Sequence, residues 1–414
     1  MNTRWYILVF IVALVARAGW GGFKLARAES SAALEFPDER QYWLMADSLA
    51  GGDGLRDEFG FRATRMPLYP ATLSLAVGLE HGVIVAKVAH WVIGALAATL
   101  ATGVAQSLLG RRVGVLAGLM VACDPFLVFT SSLLLTETLF IAALAGLWWI
   151  VAPTLAPKEP APSIRRWCAI GCVSALCVHV RESSLGLVVA TLCLLVVFRR
   201  FERRALAGAS IAVGIVILGL VPWAARNARV TGSWCWLTHR TGVSLYDGVR
   251  LEADGSSDLA EVQQMPEVWG LDEVEWNRYF LEESLLLIRS DPARIIRLAG
   301  TKWLRTWNPF PNVGSYQSLP ARLASGAWAL PVLALAVAGT TLLLRIDGKG
   351  RLRTTFFLLL PALYVSVLHS LFVGSVRYRL PAMPMLEILA AFALVTLFER
   401  MRRNPVPEAP DNDV

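Results

Sequence analysis

Ala205-Leu-Ala-Gly-Ala-Ser-Ile-Ala-Val-Gly-Ile-Val-Ile-Leu-Gly-Leu-Val-Pro-Trp-Ala224 decides the fold class. The stretch has no charged side chain and is bracketed by Arg203-Arg204 on one side and Arg226 on the other. At 1.5 Å per residue, a helix of that length reaches ~30 Å, the thickness of a bilayer's hydrocarbon core. Pro222 near its end would break a helix in water but is tolerated among packed helices in a membrane. Comparable apolar runs lie at Trp5–Phe23 and near 83–109, 113–131, 133–152, 167–182, 185–198, 322–344, 354–373 and 382–398. Together they predict an all-α polytopic membrane protein with about ten transmembrane helices. Leu68–Leu79 is apolar but too short to cross, and reads as a re-entrant or juxtamembrane helix. The pairs 113–131/133–152 and 167–182/185–198 require tight hairpins.

Composition agrees. Of 414 residues, 55% are hydrophobic and 17% charged, with a mean hydropathy of +0.52, whereas soluble domains run near 45–50% apolar and about 25% charged. The net charge of +7 does not point to nucleic acid, because the basic residues form short clusters between apolar runs. With a cytoplasmic N-terminus, those clusters fall on the short inner loops: Arg111-Arg112, Lys158 with Arg165-Arg166, Arg199-Arg200 with Arg203-Arg204, and Arg345 to Arg353. Arg400, Arg402 and Arg403 follow the last run. This is the pattern of the positive-inside rule, and it puts both termini inside and both long loops outside. Ala26-Arg27-Ala28 has the form of a signal-peptidase site, but Arg17 interrupts the apolar region before it, so the first run is expected to persist as a span.

The chain thus divides into an N-terminal transmembrane region, 1–224, with its first outer loop at 24–82, and a non-cytoplasmic segment, 225–320. C-terminal transmembrane helices follow at 321–398, with a cytoplasmic tail expected to be disordered at 399–414. Ala152–Ser163 reads as a Pro-rich cytoplasmic linker. Five of the six cysteines lie in predicted spans, leaving only Cys235 outside, so no disulfide framework is expected. Within the outer segment, Glu275–Arg305 places Trp276, Phe280, Leu281, Leu285 and Ile288, then Ile295, Leu298 and Trp303, at helical spacing. Asp291-Pro292 splits this pattern into two amphipathic helices suited to lie on the bilayer surface, and 247–264 reads as a loop that could close over substrates.

Charged residues gather at the outer ends of the runs. Asp38 and Glu39 follow Pro37 at the start of a helix that stops at Gly51-Gly52, where the positive end of the helix dipole favours their ionised forms. Glu137 lies at the outer end of an apolar run, where a carboxylate implies a cavity or an arginine partner. Arg65, Arg181, Arg226, Arg377 and Arg379 all reach the same interface. Each alone could snorkel to lipid headgroups; converging with carboxylates, they suit a phosphate held at the membrane surface.

The order Asp38-Glu39…Tyr42, Gly51-Gly52, Arg65-Met-Pro-Leu-Tyr-Pro70, Thr136-Glu137-Thr138, Arg181, Pro222-Trp-Ala-Ala-Arg226-Asn227 and Arg377-Tyr-Arg-Leu-Pro381 resembles the GT-C superfamily of membrane glycosyltransferases. The likeness is greatest to family 39 protein mannosyltransferases and the ArnT-like aminoarabinose transferases, although the outer segment is shorter than the soluble domains of some relatives. The resemblance implies inverting transfer of a sugar from a polyprenyl-phosphate donor to an acceptor protein, glycan or lipid at the non-cytoplasmic face of a bacterial inner membrane. On that likeness Asp38 is the general base, assisted by Glu39. Glu137 and Tyr42 build the acceptor or sugar site, and Arg65, Arg181, Arg226, Arg377 and Arg379 hold the donor phosphate. No haem, nucleotide or zinc signature is present, and a divalent cation is compatible with the carboxylates without being demanded by any spacing. A lipid-linked sugar flippase or a non-catalytic membrane scaffold are the rival classes. A flippase would more often show repeat symmetry, which is not evident here, and neither rival needs an acidic pair just outside the first span.

Overall fold

The computed structural model describes residues 3–28, 34–155, 162–259, 262, 264–346 and 348–403. Every regular element among them is helical. The chain runs through α1 (Thr3–Arg27), α2 (Pro37–Ala50), α3 (Leu68–Ser74), α4 (Gly82–Leu109), α5 (Arg111–Cys123) and α6 (Pro125–Thr130). It continues through α7 (Thr136–Val151), α8 (Ile164–Val180), α9 (Ser184–Phe198), α10 (Arg203–Thr231) and α11 (Thr241–Val249). The last part comprises α12 (Glu273–Ser290), α13 (Pro292–Thr306), α14 (Leu319–Arg345), α15 (Lys349–Leu371), α16 (Val376–Arg379) and α17 (Met383–Arg403).

Among the described residues, seven segments are long and apolar enough to cross a membrane: Thr3–Arg27, Gly82–Leu109, Thr136–Leu155, Arg203–Thr231, Leu319–Arg345, Gly350–Leu371 and Val376–Arg402. The other three expected spans are shorter helices packed into the same bundle. α8 has 17 residues and α9 has 15. The run at 113–131 is broken: Asp124-Pro125 ends α5 and starts α6, with Asp124 Oδ1 accepting from the backbone amides of Phe126 (2.7 Å) and Leu127 (3.0 Å). An aspartate followed by proline is a helix-start signal strong enough to interrupt an apolar stretch. α3 is seven residues long, too short to cross.

The two ends of the bundle carry different chemistry. At one end Arg112, opening α5, pairs with Glu399 of α17 at 2.6 Å, and Arg199, closing α9, donates to the Thr154 carbonyl just beyond α7. The start of α7, the end of α8, and α2, α11 and α16 meet at the opposite end. Close approach between helices depends on small residues. A Cβ on Gly339 of α14 would collide with the Leu389 carbonyl of α17, and one on Gly208 of α10 with the Trp167 indole of α8.

The segment 225–320, expected outside, folds over the second end, with two amphipathic helices broken at Asp291-Pro292. Asp272 starts α12, its Oδ1 accepting from Val274 and Glu275 amides (2.8 and 2.9 Å). Asp291 caps α13 through the Arg294 amide at 2.8 Å. Val243, Val262, Val268, Trp276 and Phe280 form a small core of their own beneath α12. α13 buries Leu298 and leaves Ile296, Trp303 and Leu304 exposed. Of the expected loop 247–264, the first three residues close α11, while 260, 261 and 263 lie outside the described residues, as do half of the expected linker (156–161) and most of the expected tail (404–414).

Candidate active site

A cleft of about 310 Å³ opens between α2, the α8–α9 turn, α11, the end of α15 and α16, under the outer segment. It is lined by Asp38, Tyr42, Arg65, Arg181, Glu182, Arg240, Asp247, His369, Arg377 and Tyr378, among others. A second cavity of about 330 Å³, between α1 and α4, has mostly apolar walls and one carboxylate, Glu35, already paired with Lys24. The charged side chains gather in the first.

Asp38 reaches the cleft from the first turn of α2, positioned by Pro37 at the helix start. Its Oδ1 accepts from Arg65 Nη2 and its Oδ2 from Arg377 Nη1, both at 2.7 Å. Arg377 then bridges to Glu137 at the start of α7, with Nε to Oε1 at 2.5 Å and Nη2 to Oε2 at 3.2 Å. Arg181 Nη1 donates to the same Glu137 Oε1 at 2.8 Å. Three guanidiniums and two carboxylates therefore form one continuous lattice, with one positive charge in surplus. Glu137 is fully buried behind it, whereas about a third of the Asp38 side chain (31%) stays open to the cleft. Burial opposes ionisation of Asp38, and the Arg65, Arg377 and Arg240 charges override it, holding the carboxyl well below the usual carboxylate range.

The lattice is braced from outside. Gln41 Oε1 accepts from Arg65 Nε at 2.8 Å, and the Arg65 guanidinium lies over the Tyr42 ring, 4.9 Å from its centroid. Tyr42 in turn meets Tyr69 edge to face at 4.9 Å. The loop carrying Arg65 is fastened from three elements. Arg226 of α10 donates to the Arg62 carbonyl at 2.6 Å; Glu273 of α12 accepts from the Arg62 and Ala63 amides (2.9 and 2.8 Å); and the His239 amide donates to the Ala63 carbonyl at 2.8 Å. On the far wall, Tyr378 stacks on His369, with ring centroids 4.1 Å apart, and faces the Arg181 guanidinium at 5.5 Å.

The fold brings Asp38, Tyr42, Arg65, Arg181 and Arg377 to the cleft, with Glu137 directly behind. It does not bring Glu39, Arg226 or Arg379. Glu39 is buried, and its oxygens accept from the backbone amides of Glu35, Phe36 and Leu134 at 2.9, 3.1 and 2.7 Å, fastening the start of α2 to the segment before α7. One residue along a helix turns the side chain by about 100°, so Asp38 and Glu39 point different ways. Arg379, two residues beyond Arg377, faces the bundle interior, donating to the Asn308 carbonyl at 2.5 Å and lying over the Phe126 ring. Arg226 serves the loop backbone, as described above. Sequence reasoning did not single out Arg240, Glu182, Gln41 or Tyr378. For Glu182 a signal was available, since it directly follows Arg181 in a turn placed outside. Arg240 follows His239 in an outer stretch with no helical pattern to orient it.

The donor set does not suit a divalent cation. Both oxygens of Asp38 and of Glu137 are occupied by guanidiniums, and among the described residues no three His, Cys, Asp or Glu side chains gather to hold one.

No family model matches the sequence, and no curated protein matches it. Among solved structures, the chain superposes on the archaeal oligosaccharyltransferase AglB from Archaeoglobus fulgidus, in complex with an inhibitory peptide and a dolichol-phosphate. The TM-score is 0.58 at 13% identity over 99% of this chain and 53% of that one. On the Archaeoglobus fulgidus oligosaccharyltransferase in the apo form, the values are 0.57, 14%, 97% and 51%. ArnT from Cupriavidus metallidurans bound to undecaprenyl phosphate superposes more loosely, at a TM-score of 0.44 and 14% identity over 99% and 82% of the two chains. The chain thus spans about half the length of the oligosaccharyltransferases. At such identity the likeness is one of fold: the all-helical polytopic bundle expected from the apolar runs is the architecture observed, and the oligosaccharyltransferase shares it over about half its length.

Proposed function

We propose that the protein is an inverting membrane glycosyltransferase, moving a hexosyl or pentosyl group from a polyprenyl-phosphate donor to an acceptor protein, glycan or lipid. One observation carries the reading: the lattice of Arg65, Arg181 and Arg377 around Asp38 and Glu137, with its surplus positive charge, faces a cleft of sugar-accommodating size. In the transfer, the bond from the sugar's anomeric carbon to the phosphate oxygen breaks as a new bond to the acceptor oxygen forms on the opposite face. The acceptor's proton passes to a carboxylate, and polyprenyl phosphate leaves with an added negative charge. Prearranged guanidiniums favour that charge and need no reorganisation as it develops. Inversion needs only one base and no second, nucleophilic carboxylate. Held between two guanidiniums, Asp38 is a weak proton acceptor, so its part in this reading is to keep Arg65 and Arg377 aimed at the cleft. The dolichol-phosphate bound by AglB, which has the same fold, is consistent with a lipid-phosphate donor here. Arg112 and Arg199 stand at the opposite end of the bundle, which supports a non-cytoplasmic cleft in a bacterial inner membrane.

The test is transfer by the purified, detergent-solubilised protein from a panel of undecaprenyl-phosphate sugars. The wild type should release undecaprenyl phosphate, and Asp38→Asn should lose most of that release while remaining folded. Binding of these donors without release of the lipid phosphate would favour lipid-linked sugar transport. Failure to bind any of them would overturn the reading.

A further inference from the structure

Seven side chains lining the cleft carry a full charge, and five of them are spoken for. Asp38, Arg65 and Arg377 hold one another, Arg181 holds Glu137, and Asp247 accepts from Ser257 Oγ at 2.6 Å and the Asp258 amide at 2.8 Å. The remaining two are Glu182 and Arg240. Neither side chain has a hydrogen bond or ion pair among the described residues. We infer that these two unpaired groups act beside the lattice: Arg240 joins its guanidiniums in receiving the anionic phosphate of the donor, and Glu182 accepts the proton of the acceptor hydroxyl. The inference rests on the transfer reading above and assigns roles within it.

Both groups stand on rigid backbone. Glu182 occupies the three-residue turn between α8 and α9, where its carbonyl accepts from the Leu185 amide (3.1 Å) and the Arg181 carbonyl from the Ser184 amide (3.0 Å). The Tyr364 hydroxyl fastens the next residue through the Ser183 carbonyl. Arg240 follows His239, whose amide is tied to Ala63, and precedes Gly242, whose amide donates to Asn277 Oδ1 at 2.8 Å. Tyr42, Arg65 and Arg240 are close enough to Glu182 to feel its charge. A base must be free to take a proton, and Asp38 is not, because two guanidiniums occupy its oxygens. A guanidinium without a partner offers paired donors to a phosphate, at no cost of breaking an existing ion pair. Burial and the neighbouring Arg65 already disfavour the charge on Arg240, and an incoming anion would relieve both.

The proton leaves the acceptor oxygen for a Glu182 oxygen as the new glycosidic bond forms, and the electron pair of the broken bond leaves on the phosphate oxygen beside Arg240. A helix-dipole role for Glu182, just before α9, is the structural alternative. That role would move stability and not turnover.

The test pairs binding with turnover. Undecaprenyl phosphate alone is titrated into wild type, Arg240→Gln and Glu182→Gln in detergent. The expected result is binding at least tenfold weaker in Arg240→Gln, partly restored in Arg240→Lys, and within twofold of wild type in Glu182→Gln. Release of undecaprenyl phosphate from the donor panel should fall about 10²–10⁴-fold in Glu182→Gln. Glu182→Asp should retain part of the rate. If wild type turns over and Glu182→Gln matches it, or if Arg240→Gln binds undecaprenyl phosphate as wild type does, the corresponding assignment is overturned while the transferase reading stands. If wild type neither binds nor turns over, the transferase reading falls and takes this one with it.

Discussion

Two clusters of buried arginines and carboxylates lie in this molecule, and they are built in opposite ways. In the cleft, guanidiniums meet carboxylates directly: Arg65 and Arg377 on Asp38, Arg181 and Arg377 on Glu137. Within the bundle, Arg17 of α1, Asp124 at the α5–α6 break, Arg379 of α16 and Glu387 of α17 are buried more deeply than the partly open cleft residues, and among the described residues no ion pair joins them. Arg17 donates instead to the carbonyls of Ala13 (3.1 Å), Ala122 (3.0 Å) and Val121 (3.4 Å). Arg379 serves the Asn308 carbonyl, and Asp124 Oδ1 the amides that open α6. The Glu387 carboxyl sits beside Asp124 and the Trp328 indole, and neither of its oxygens finds a well-aligned partner among the described residues.

The difference follows from what each cluster has to satisfy. Breaking a helix inside a membrane leaves its last carbonyls without donors, and no water is at hand to supply them. Val121 and Ala122 are the last turn of α5 before Asp124-Pro125, and Arg17 is the side chain that reaches them. The inner cluster is therefore a repair of backbone. The cleft cluster satisfies no broken helix; its charges hold one another at fixed positions facing a cavity.

Substitutions can break or sharpen this contrast. The largest effect is expected at Arg377, which bonds both carboxylates of the lattice, Asp38 and Glu137. Arg377→Gln should abolish transfer and lower stability by about 3–5 kcal/mol, since it leaves buried carboxylate charge uncompensated. Thermal unfolding in detergent alongside the transfer assay would check both, and a stable, active variant would deny that the lattice is a unit. Next, Arg17→Met should cost about 1–3 kcal/mol by orphaning the α5 carbonyls, with undecaprenyl phosphate binding unchanged within twofold. Loss of binding there would merge the two clusters into one. Smaller still, Glu387→Gln should change stability by no more than about 1 kcal/mol, because no well-formed pair is lost. A loss of several kcal/mol would show that Glu387 carries an interaction the static geometry lacks. The smallest effect concerns pH. The folded-state acidity of Asp38 is enhanced, so its ion pairs add stability at all pH above the unfolded carboxylate value of about 3.9 and lose it only as pH falls below that. The contribution of Asp38, read as the difference in unfolding midpoint between wild type and Asp38→Asn, should be flat from pH 8 to pH 5 and shrink only in stronger acid.

Much of this architecture is legible in the chain. The apolar runs mark where the bundle helices lie, seven of them long and apolar enough to cross a bilayer, because the thickness of a bilayer sets a length that few other constraints impose. The position of a charged residue at the end of a run is legible for the same reason, which is how Asp38, Arg65, Glu137, Arg181 and Arg377 come to stand out. What a run's end does not disclose is rotation. Glu39 and Arg379 occupy the same ends as their neighbours and turn to the protein interior, since a shift of one or two residues swings a helical side chain through 100° or 200°. Asp124 is a different case. Its hydropathic surroundings read as the middle of a span, and only the local Asp-Pro signal discloses the break. Pairing is the least legible of all. That Glu182 and Arg240 stand without partners depends on every other charge in the cleft having found one, which no stretch of sequence contains.

The bond from Arg17 to the α5 carbonyls also sets an order of events during biosynthesis. Its acceptor at Ala122 lies 105 residues downstream. At ~5–20 residues per second of synthesis, that acceptor emerges roughly 5–20 s after Arg17 does. Through that interval the first helix must remain at the translocation machinery or in lipid with an uncovered guanidinium, at a cost on the order of 2.5–3.5 kcal/mol near the centre of a span. Helix α1 is thus among those that cannot settle until a later one arrives.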